Sequence, residues 1–212
     1  SLSEKLDPEL VHQVMDGCFK LLMQEIHKFE GTINQFTGDG VMALFGAPLA
    51  LEDHTQDACH AALAIQKSLK AYSKVLQTKY NINFQMRIGI NSGSVVVGAI
   101  GDDLRMDYTA VGDTTNLAAR MESKAKPGTV LVSPNTYKKV SQQFEFKSLG
   151  ETEVKGKEEP IKAYRVIAPS TSRTRFDVSA ERGLTPFVGR ERELEILLDA
   201  FERSKAGRGQ AI

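Results

Sequence analysis

The spacing of apolar residues alternates between the helical and the strand period along most of the chain, and this alternation restricts the possible folds. Apolar residues recur every three or four positions over residues 11–29 and again over residues 53–80, which predicts two amphipathic helices. Asp7 is a typical N-cap, Pro8 is a typical first helical residue, and Gly31 is expected to cap the C-terminal end of the first helix.

Runs with the character of strands lie between and after these helices. Residues 32–36 and 41–45 flank the turn-forming tetrapeptide Thr37-Gly38-Asp39-Gly40 and predict a β-hairpin. Residues 84–90 alternate apolar and polar side chains, and we expect them to form a second hairpin with residues 95–100.

The C-terminal part of this region repeats the same mixture of elements. We predict helices over 114–124 and 134–142, a strand over 129–132, and a last hairpin from 144–149 and 163–167. Hairpins mixed with crossover helices indicate an α+β fold in which helices pack on a mostly antiparallel sheet.

A change in composition marks a boundary near residue 168. Residues 169–186 are rich in Ser, Thr and Arg and lack periodicity, which predicts a linker. We therefore expect one domain over residues 1–168 and the start of a second domain in residues 187–212, with a helix over 191–204.

Charge and cysteine content narrow the classes of function. The formal net charge is zero, so there is no electrostatic reason to expect binding to nucleic acid or to an anionic membrane. No apolar run approaches the roughly 18 residues of a transmembrane helix. Cys18 and Cys59 fall in helical patterns and predict buried free thiols, which suits a reducing, cytoplasmic location.

Asp39 is the first candidate functional residue. Its carboxylate stands at the predicted hairpin tip between Gly38 and Gly40, where no bulky neighbour would hinder a metal ion. Mg²⁺ commonly takes one or two carboxylates together with substrate phosphates. Asp and Gly are also ordinary turn formers, so this motif alone leaves both interpretations open.

Asn116, Arg120 and Lys155 are the other candidates. Asn116 and Arg120 are four residues apart and share a helix face. An amide can orient a ribose, and a guanidinium can hold a phosphoryl group through two parallel hydrogen bonds. Lys155 precedes Gly156 in a basic turn that could meet a phosphate. A solvated helix face and a solvated turn are the alternatives.

The order of these motifs along the chain, together with two further sequence strings, resembles that of the class III adenylate/guanylate cyclase family. The strings are Met86-Arg87-Ile88-Gly89-Ile90-Asn91-Ser92-Gly93 and Tyr108-Thr109-Ala110-Val111-Gly112. The resemblance runs from Ser1 to about Val166. It implies a ferredoxin-like βαββαβ sandwich that converts ATP or GTP to a 3′,5′-cyclic nucleotide and pyrophosphate.

The resemblance gives each candidate a role. In that family two aspartates hold two Mg²⁺ (or Mn²⁺) ions per site, which stabilise the attacking and leaving oxygens. Asp39 matches the second of these aspartates and Asn116 the asparagine that orients the ribose. Arg120 matches the arginine that stabilises the transition-state phosphate, and Lys155 matches a lysine that contacts the triphosphate.

Such sites form between two copies, so the resemblance also implies a head-to-tail homodimer with two equivalent sites.

The resemblance also assigns two residues to recognition of the base. Many adenylate cyclases of the family read adenine with a lysine where this chain has Gln35, and the second base-reading position is Thr109. Thr109 resembles the bacterial adenylate cyclase pattern and favours ATP, whereas Gln35 suits either purine and leaves GTP open. With Gln35, Thr109 and Lys155, we also expect Gly38 and Gly40 to be substrate-binding residues.

One departure concerns the other metal-binding aspartate. In the family it lies on a strand just before a segment like residues 1–6. We expect that first strand to be missing from this chain, which would leave half of the metal site. The prediction is that residues 1–212 alone do not cyclise nucleotides.

The tail leads to a second hypothesis. Residues 187–194 resemble the opening of AAA-type or signal-transduction NTPase domains. The alternative function is therefore a non-catalytic cyclase-homology domain that dimerises and regulates a downstream NTPase in the same parent chain. A diguanylate cyclase is disfavoured because Gly40-Val41, and not an acidic–aromatic pair, follows Asp39.

Overall fold

The computed structural model describes residues 7–100, 107–111, 113–152, 161–170, 189 and 191–205. The elements in these ranges are, in chain order, α1 (Pro8–Lys28), β1 (Gly31–Thr37), β2 (Gly40–Phe45), α2 (His54–Tyr80), β3 (Ile88–Ile90), β4 (Val96–Ile100), β5 (Asp107–Val111), α3 (Asp113–Lys124), β6 (Val130–Val132), α4 (Pro134–Val140), β7 (Phe144–Thr152), β8 (Ile161–Pro169) and α5 (Glu191–Lys205).

The chain divides into two compact units, Ser1–Thr171 and Ser172–Ile212, and α5 belongs to the second. The predicted linker lies largely outside the described residues. Within the described ranges, no helix combines the length and the apolarity that a membrane span needs.

The helices agree closely with the sequence patterns, with one exception at the end of α1. This helix begins at the predicted cap, where the Asp7 carboxylate accepts a 2.9 Å hydrogen bond from the Glu9 amide. At its other end Glu30 takes the left-handed conformation, with φ of 58°. Gly31, predicted to be the cap, is instead the first residue of β1.

The first and the last predicted hairpins form, and the middle one does not. β1 pairs antiparallel with β2, and β7 with β8. Residues 84–87 are not part of a strand, β3 runs parallel to β6, and β4 pairs antiparallel with β5. Local alternation predicts that a segment is extended, but the partner of a parallel strand lies beyond a crossover and leaves no local signal.

The central sheet has the strand order β3-β6-β8-β7, and different helices cover its two faces. Val130 and Val132 of β6 point to one face and pack with Cys59 of α2 and with α4. Leu131 points to the other face and packs with Met121 of α3. Because side chains alternate along a strand, α2 and α4 lie on one face and α3 on the other.

A second part of the core joins α1 and α2 to the first hairpin. Cys18 of α1 and Leu69 of α2 are buried there, and Val41 and Phe45 of β2 pack against them. The two small sheets are neighbours, because β1 lies beside β5. Both cysteines are free and buried, as predicted. Burial raises the pKa of the Cys18 thiol to about 11 and that of Cys59 to about 12.

Candidate active site

The turn between β1 and β2 carries Asp39. β1 ends at Thr37 and β2 begins at Gly40, which leaves a two-residue turn. Gly38 has a φ of +66°, as a glycine-first hairpin turn requires and as glycine adopts without strain. Asp39 is exposed. Its carboxylate therefore stands at the hairpin tip, open to solvent and to an incoming cation.

The described residues offer one carboxylate to a metal at this tip. In that part of the chain, no three His, Cys, Asp or Glu side chains are grouped closely enough to hold an ion by themselves. Mg²⁺ and Mn²⁺ prefer carboxylate, phosphate and water oxygens, and one protein carboxylate can suffice when a substrate supplies phosphates. Asp39 therefore fits a metal site to which substrate phosphates also contribute oxygens.

Gln35 lies on the same hairpin, next to an irregularity in the pairing. The register shifts between Ile33 and Gln35, so that Asn34 is the extra residue of a β-bulge. The Asn34 side-chain nitrogen lies 3.4 Å from the sulfur of Met42, while Gln35 is exposed. Since a bulge redirects the side chains beside it, this local feature contributes to the outward direction of Gln35.

Thr109 lies on β5, opposite Gly98 of β4. β1 lies beside β5, so the strand that carries Gln35 is a neighbour of the strand that carries Thr109. Lys155 lies outside the described residues.

Asn116 and Arg120 lie one turn apart on α3. Asn116 is exposed and Arg120 is half-buried. Within the described ranges the Arg120 guanidinium forms no ion pair, so its N–H donors face no competing carboxylate there. A partly buried arginine with available donors is suited to bind a phosphate through two parallel hydrogen bonds.

The helix that carries this pair is anchored to the central sheet. It rests on β3 at Gly89, where a Cβ atom would overlap the backbone of Ala118. In its first turn the Thr114 carbonyl accepts a 2.9 Å hydrogen bond from Asn91 Nδ2. The Thr114 hydroxyl donates a 2.7 Å hydrogen bond to the carbonyl of Ser94.

The predicted site residues thus fall into two groups within one chain. Gln35 and Asp39 share the hairpin, and Asn116 and Arg120 share α3. Among the described residues, no hydrogen bond or ion pair joins one group to the other.

The anchoring residues of α3 were missed by reasoning from sequence. The hairpin predicted from residues 84–90 and 95–100 places Asn91, with its Ser and Gly neighbours, in the connecting turn, and Gly89 in a strand. A glycine inside a strand pattern often marks the close approach of another backbone, and that signal was available.

The fold is that of solved nucleotide cyclase domains. The chain superposes on the adenylyl cyclase CyaB from P. aeruginosa with a TM-score of 0.73 and 31% identity, covering 82% of this chain and 90% of that one. It matches the guanylate cyclase domain of RhGC from Catenaria anguillulae, solved in complex with GTP, with a TM-score of 0.71 and 28% identity, covering 80% and 90%.

Sequence comparison leads to the same class. The model of the adenylate and guanylate cyclase catalytic domain matches residues 1–168. Adenylate cyclase 1 of Rhizobium meliloti is 36% identical over 169 residues, which are 79% of this chain and 25% of that protein. The chain therefore belongs to the adenylate and guanylate cyclase catalytic domain family. It spans about a quarter to a third of the length of the curated relatives it matches first.

Proposed function

We propose that this domain converts a purine nucleoside triphosphate to the 3′,5′-cyclic nucleotide and pyrophosphate, in sites shared by two copies arranged head to tail. One observation carries the proposal: the exposed carboxylate of Asp39 and the Asn116–Arg120 pair lie on separate elements of one chain with no bond between them. In a two-fold dimer, two such half-sites become two complete and equivalent sites.

The α3 side chains act on the sugar and the reacting phosphate. Asn116 holds the ribose so that its 3′ oxygen lies in line with the α-phosphorus. That oxygen bonds to the phosphorus as the bond to the bridging oxygen breaks, pyrophosphate leaves, and the hydroxyl proton passes to solvent. Charge accumulates on the phosphate oxygens, and a fixed guanidinium at Arg120 stabilises it.

The hairpin and the basic turn act on the rest of the substrate. Asp39 would hold Mg²⁺ or Mn²⁺, which would supply charge stabilisation for the attacking and leaving oxygens of the displacement. A site with two such ions needs a second carboxylate in addition to Asp39. Gly38 and Gly40 keep the tip free of side chains where the triphosphate approaches, and Lys155 neutralises part of its charge.

ATP is the proposed substrate and GTP the alternative. Gln35 and Thr109 are the base-reading pair on the neighbouring strands β1 and β5. Thr109 supports ATP, as does the likeness to adenylate cyclase 1, whereas the likeness to a domain solved with GTP keeps the alternative open. Replacing Gln35 by Lys is expected to raise the ratio of ATP to GTP turnover by about tenfold, the scale of one discriminating contact.

Two inactive variants test the shared site. In the full-length protein, turnover of ATP and of GTP is measured with Mg²⁺ and with Mn²⁺ by chromatography of the cyclic product. Asp39→Asn and Arg120→Ala are each expected to be nearly inactive, yet a mixture of the two forms heterodimers in which one of the two sites is intact. Random mixing should therefore restore about a quarter of wild-type activity, and no restoration would contradict a shared site.

The alternative function is that of a non-catalytic regulatory domain. It is supported by the observation that Asp39 is the one carboxylate among the described residues of the hairpin tip. A domain of this kind binds nucleotide without turning it over. Binding of a labelled ATP analogue in the absence of any cyclic product would favour this alternative. The start of an NTPase domain in residues 187–212 stays a prediction that the sequence following residue 212 in the parent chain tests.

A further inference from the structure

A small polar cluster lies at the junction of β3, α3 and α4. Ser133 and Thr136, at the N-terminal end of α4, are both 0% exposed. The Thr136 amide donates a 3.3 Å hydrogen bond to the Ser133 hydroxyl oxygen, which caps the helix. The Ser92 hydroxyl lies 3.1 Å from that of Thr136. Buried polar groups that are mutually satisfied hold their elements in one arrangement.

Asn91 connects this cluster to α3. Its Oδ1 accepts a 2.6 Å hydrogen bond from the Ser133 hydroxyl, and its Nδ2 donates a 2.9 Å hydrogen bond to the Thr114 carbonyl. An amide turned over would place a donor against the Ser133 hydroxyl and an acceptor against a carbonyl. The Thr114 carbonyl only accepts, so it fixes the orientation of the amide, and the Ser133 hydroxyl, which can donate or accept, adapts to it.

Thr114 is the point at which this connection reaches the candidate site. It lies in the first turn of α3, two residues before Asn116 and six before Arg120. The contact at Gly89 holds the middle of the helix against β3, while the bond from Asn91 holds its beginning. With both points fixed, the helix cannot tilt or slide without breaking a contact.

We propose that Asn91 is a positioning residue: through Thr114 it fixes the first turn of α3 and thereby the places of Asn116 and Arg120. The inference rests on the proposed function for its catalytic consequence. A displacement of about 1 Å of a group that stabilises the transition state can lower the rate on the order of a hundredfold, although the displaced group is still present. Asn91 touches neither the substrate nor the reacting atoms.

The test compares Asn91→Ala with Gln66→Ala in the full-length protein. Gln66 is a matched control, because its side-chain amide also bridges part-buried backbone, with hydrogen bonds to the carbonyls of Met86 and Thr129, neither of which lies on α3. Asn91→Ala is expected to lower kcat by about tenfold to a hundredfold with little change in KM. Gln66→Ala is expected to lower the stability and leave kcat near the wild-type value.

A double-mutant cycle separates positioning from general damage. If Asn91 acts by placing Asn116 and Arg120, Asn91→Ala should cause little further loss of kcat in a background that carries both Asn116→Ala and Arg120→Ala. Independent effects, in which Asn91→Ala lowers kcat by the same factor in the mutant background as in the wild type, would overturn the proposal. An equal loss of kcat in Gln66→Ala would also overturn it. Should Asn91→Ala fail to fold, Asn91→Asp keeps an acceptor for the Ser133 hydroxyl but replaces the donor to the Thr114 carbonyl by an oxygen, and it is expected to act in the same direction.

Hydrogen exchange gives a readout that does not depend on activity. Amides in the second turn of α3, the first that donate within the helix, should exchange faster in Asn91→Ala than in the wild type, and unchanged exchange there would overturn the positioning role. Absence of cyclic product from the wild-type protein would instead contradict the proposed function, and the exchange of α3 would still decide whether Asn91 fixes the helix.

Discussion

The tip of the first hairpin and the helix α3 carry the two halves of the candidate site, and they are supported in different ways. At the tip, Gln35 to Asp39 are exposed, and Phe36 is 53% exposed with its ring against that of Phe19. α3, in contrast, buries Met121 completely and rests on β3 at Gly89. The helix α3 therefore packs against the core, whereas the tip of the first hairpin is exposed to solvent.

This difference separates preorganised groups from groups that a ligand must order. In the proposed reaction, the helix that carries Arg120 is held in place before the substrate arrives, so less reorganisation is needed to bring the guanidinium to the transition state. Asp39 keeps the rotamer freedom of an exposed side chain, and ordering such a side chain on binding costs on the order of 0.5–1.5 kcal/mol. In the proposed function, the carboxylate therefore depends on the metal, the substrate and the second copy for its final place.

The largest expected effect is a loss of kcat on replacing Arg120, which lies on the anchored helix α3. Arg120→Ala should lower kcat by roughly 10²–10³, because a fixed stabiliser of transition-state charge is lost, while thermal stability changes little. Arg120→Lys should recover only part of the rate, since an ammonium lacks the two parallel N–H donors. Steady-state kinetics with ATP and Mg²⁺ provide the measurement. Arg165→Ala, on the exposed surface of β8, is the control, and an equal loss in both variants would remove Arg120 from the site.

The second effect tests the anchoring of α3. Gly89→Ala should lower the free energy of unfolding by about 3 kcal/mol, because a methyl group there would overlap helix backbone that has no flexible end to move aside. Urea denaturation at neutral pH measures this change. A loss below about 1 kcal/mol would mean that α3 can move away from β3 readily, and the contrast between the two regions would then fail.

How far the sequence predicts this architecture differs between the two regions. The hairpin is encoded locally, since Gly38 and Asp39 between two extended runs suffice to predict the turn and the exposed carboxylate. The support of α3 is not local: β3 pairs with β6 some forty residues later, and the amide of Asn91 joins segments that are distant in the chain. The Asn-Ser-Gly composition suits a turn equally well, so no residue-by-residue pattern distinguishes the anchor from a loop.

Gly38→Ala is the counterpart of Gly89→Ala in the hairpin and should have a smaller effect. Nothing lies near a Cβ atom at Gly38, so the cost is only that of a φ of +66°, about 1 kcal/mol for a residue with a side chain. Gly38→Asn is the matched control and should cost less, because asparagine tolerates this conformation better. If Gly38→Ala destabilised the protein as much as Gly89→Ala, the hairpin tip would be as tightly supported as α3.

The smallest expected effect is a pH dependence at the base of the hairpin. His60 of α2 lies between the rings of Phe29, just before β1, and Phe144, with centroid distances of 5.9 and 4.7 Å. Burial lowers the pKa of the His60 imidazole, and the nearby Asp57 carboxylate partly opposes this. The folded protein therefore binds this proton less readily than the unfolded chain does.

The sign of the effect follows from this difference in proton binding. The contribution of His60 to stability is present above the unfolded pKa of about 6.5 and is lost as the pH falls through the lower pKa of the folded state. Burial raises the pKa of Asp57, so the contribution of Asp57 to stability increases as the pH falls and opposes that of His60. The polar groups that hold α3, namely Asn91, Thr114, Ser133 and Thr136, do not titrate in this range.

Urea denaturation between pH 7.5 and pH 5.5 measures the consequence. The free energy of unfolding should fall less steeply with decreasing pH in His60→Gln than in the wild type, because the substitution removes the titration of His60 together with its interaction with Asp57. Hydrogen exchange at the two pH values, corrected for intrinsic rates, should show greater loss of protection in β1 than in α3. An equal loss in both regions would show that acid loosens the domain as a whole, and the hairpin and the helix would then belong to one cooperative unit.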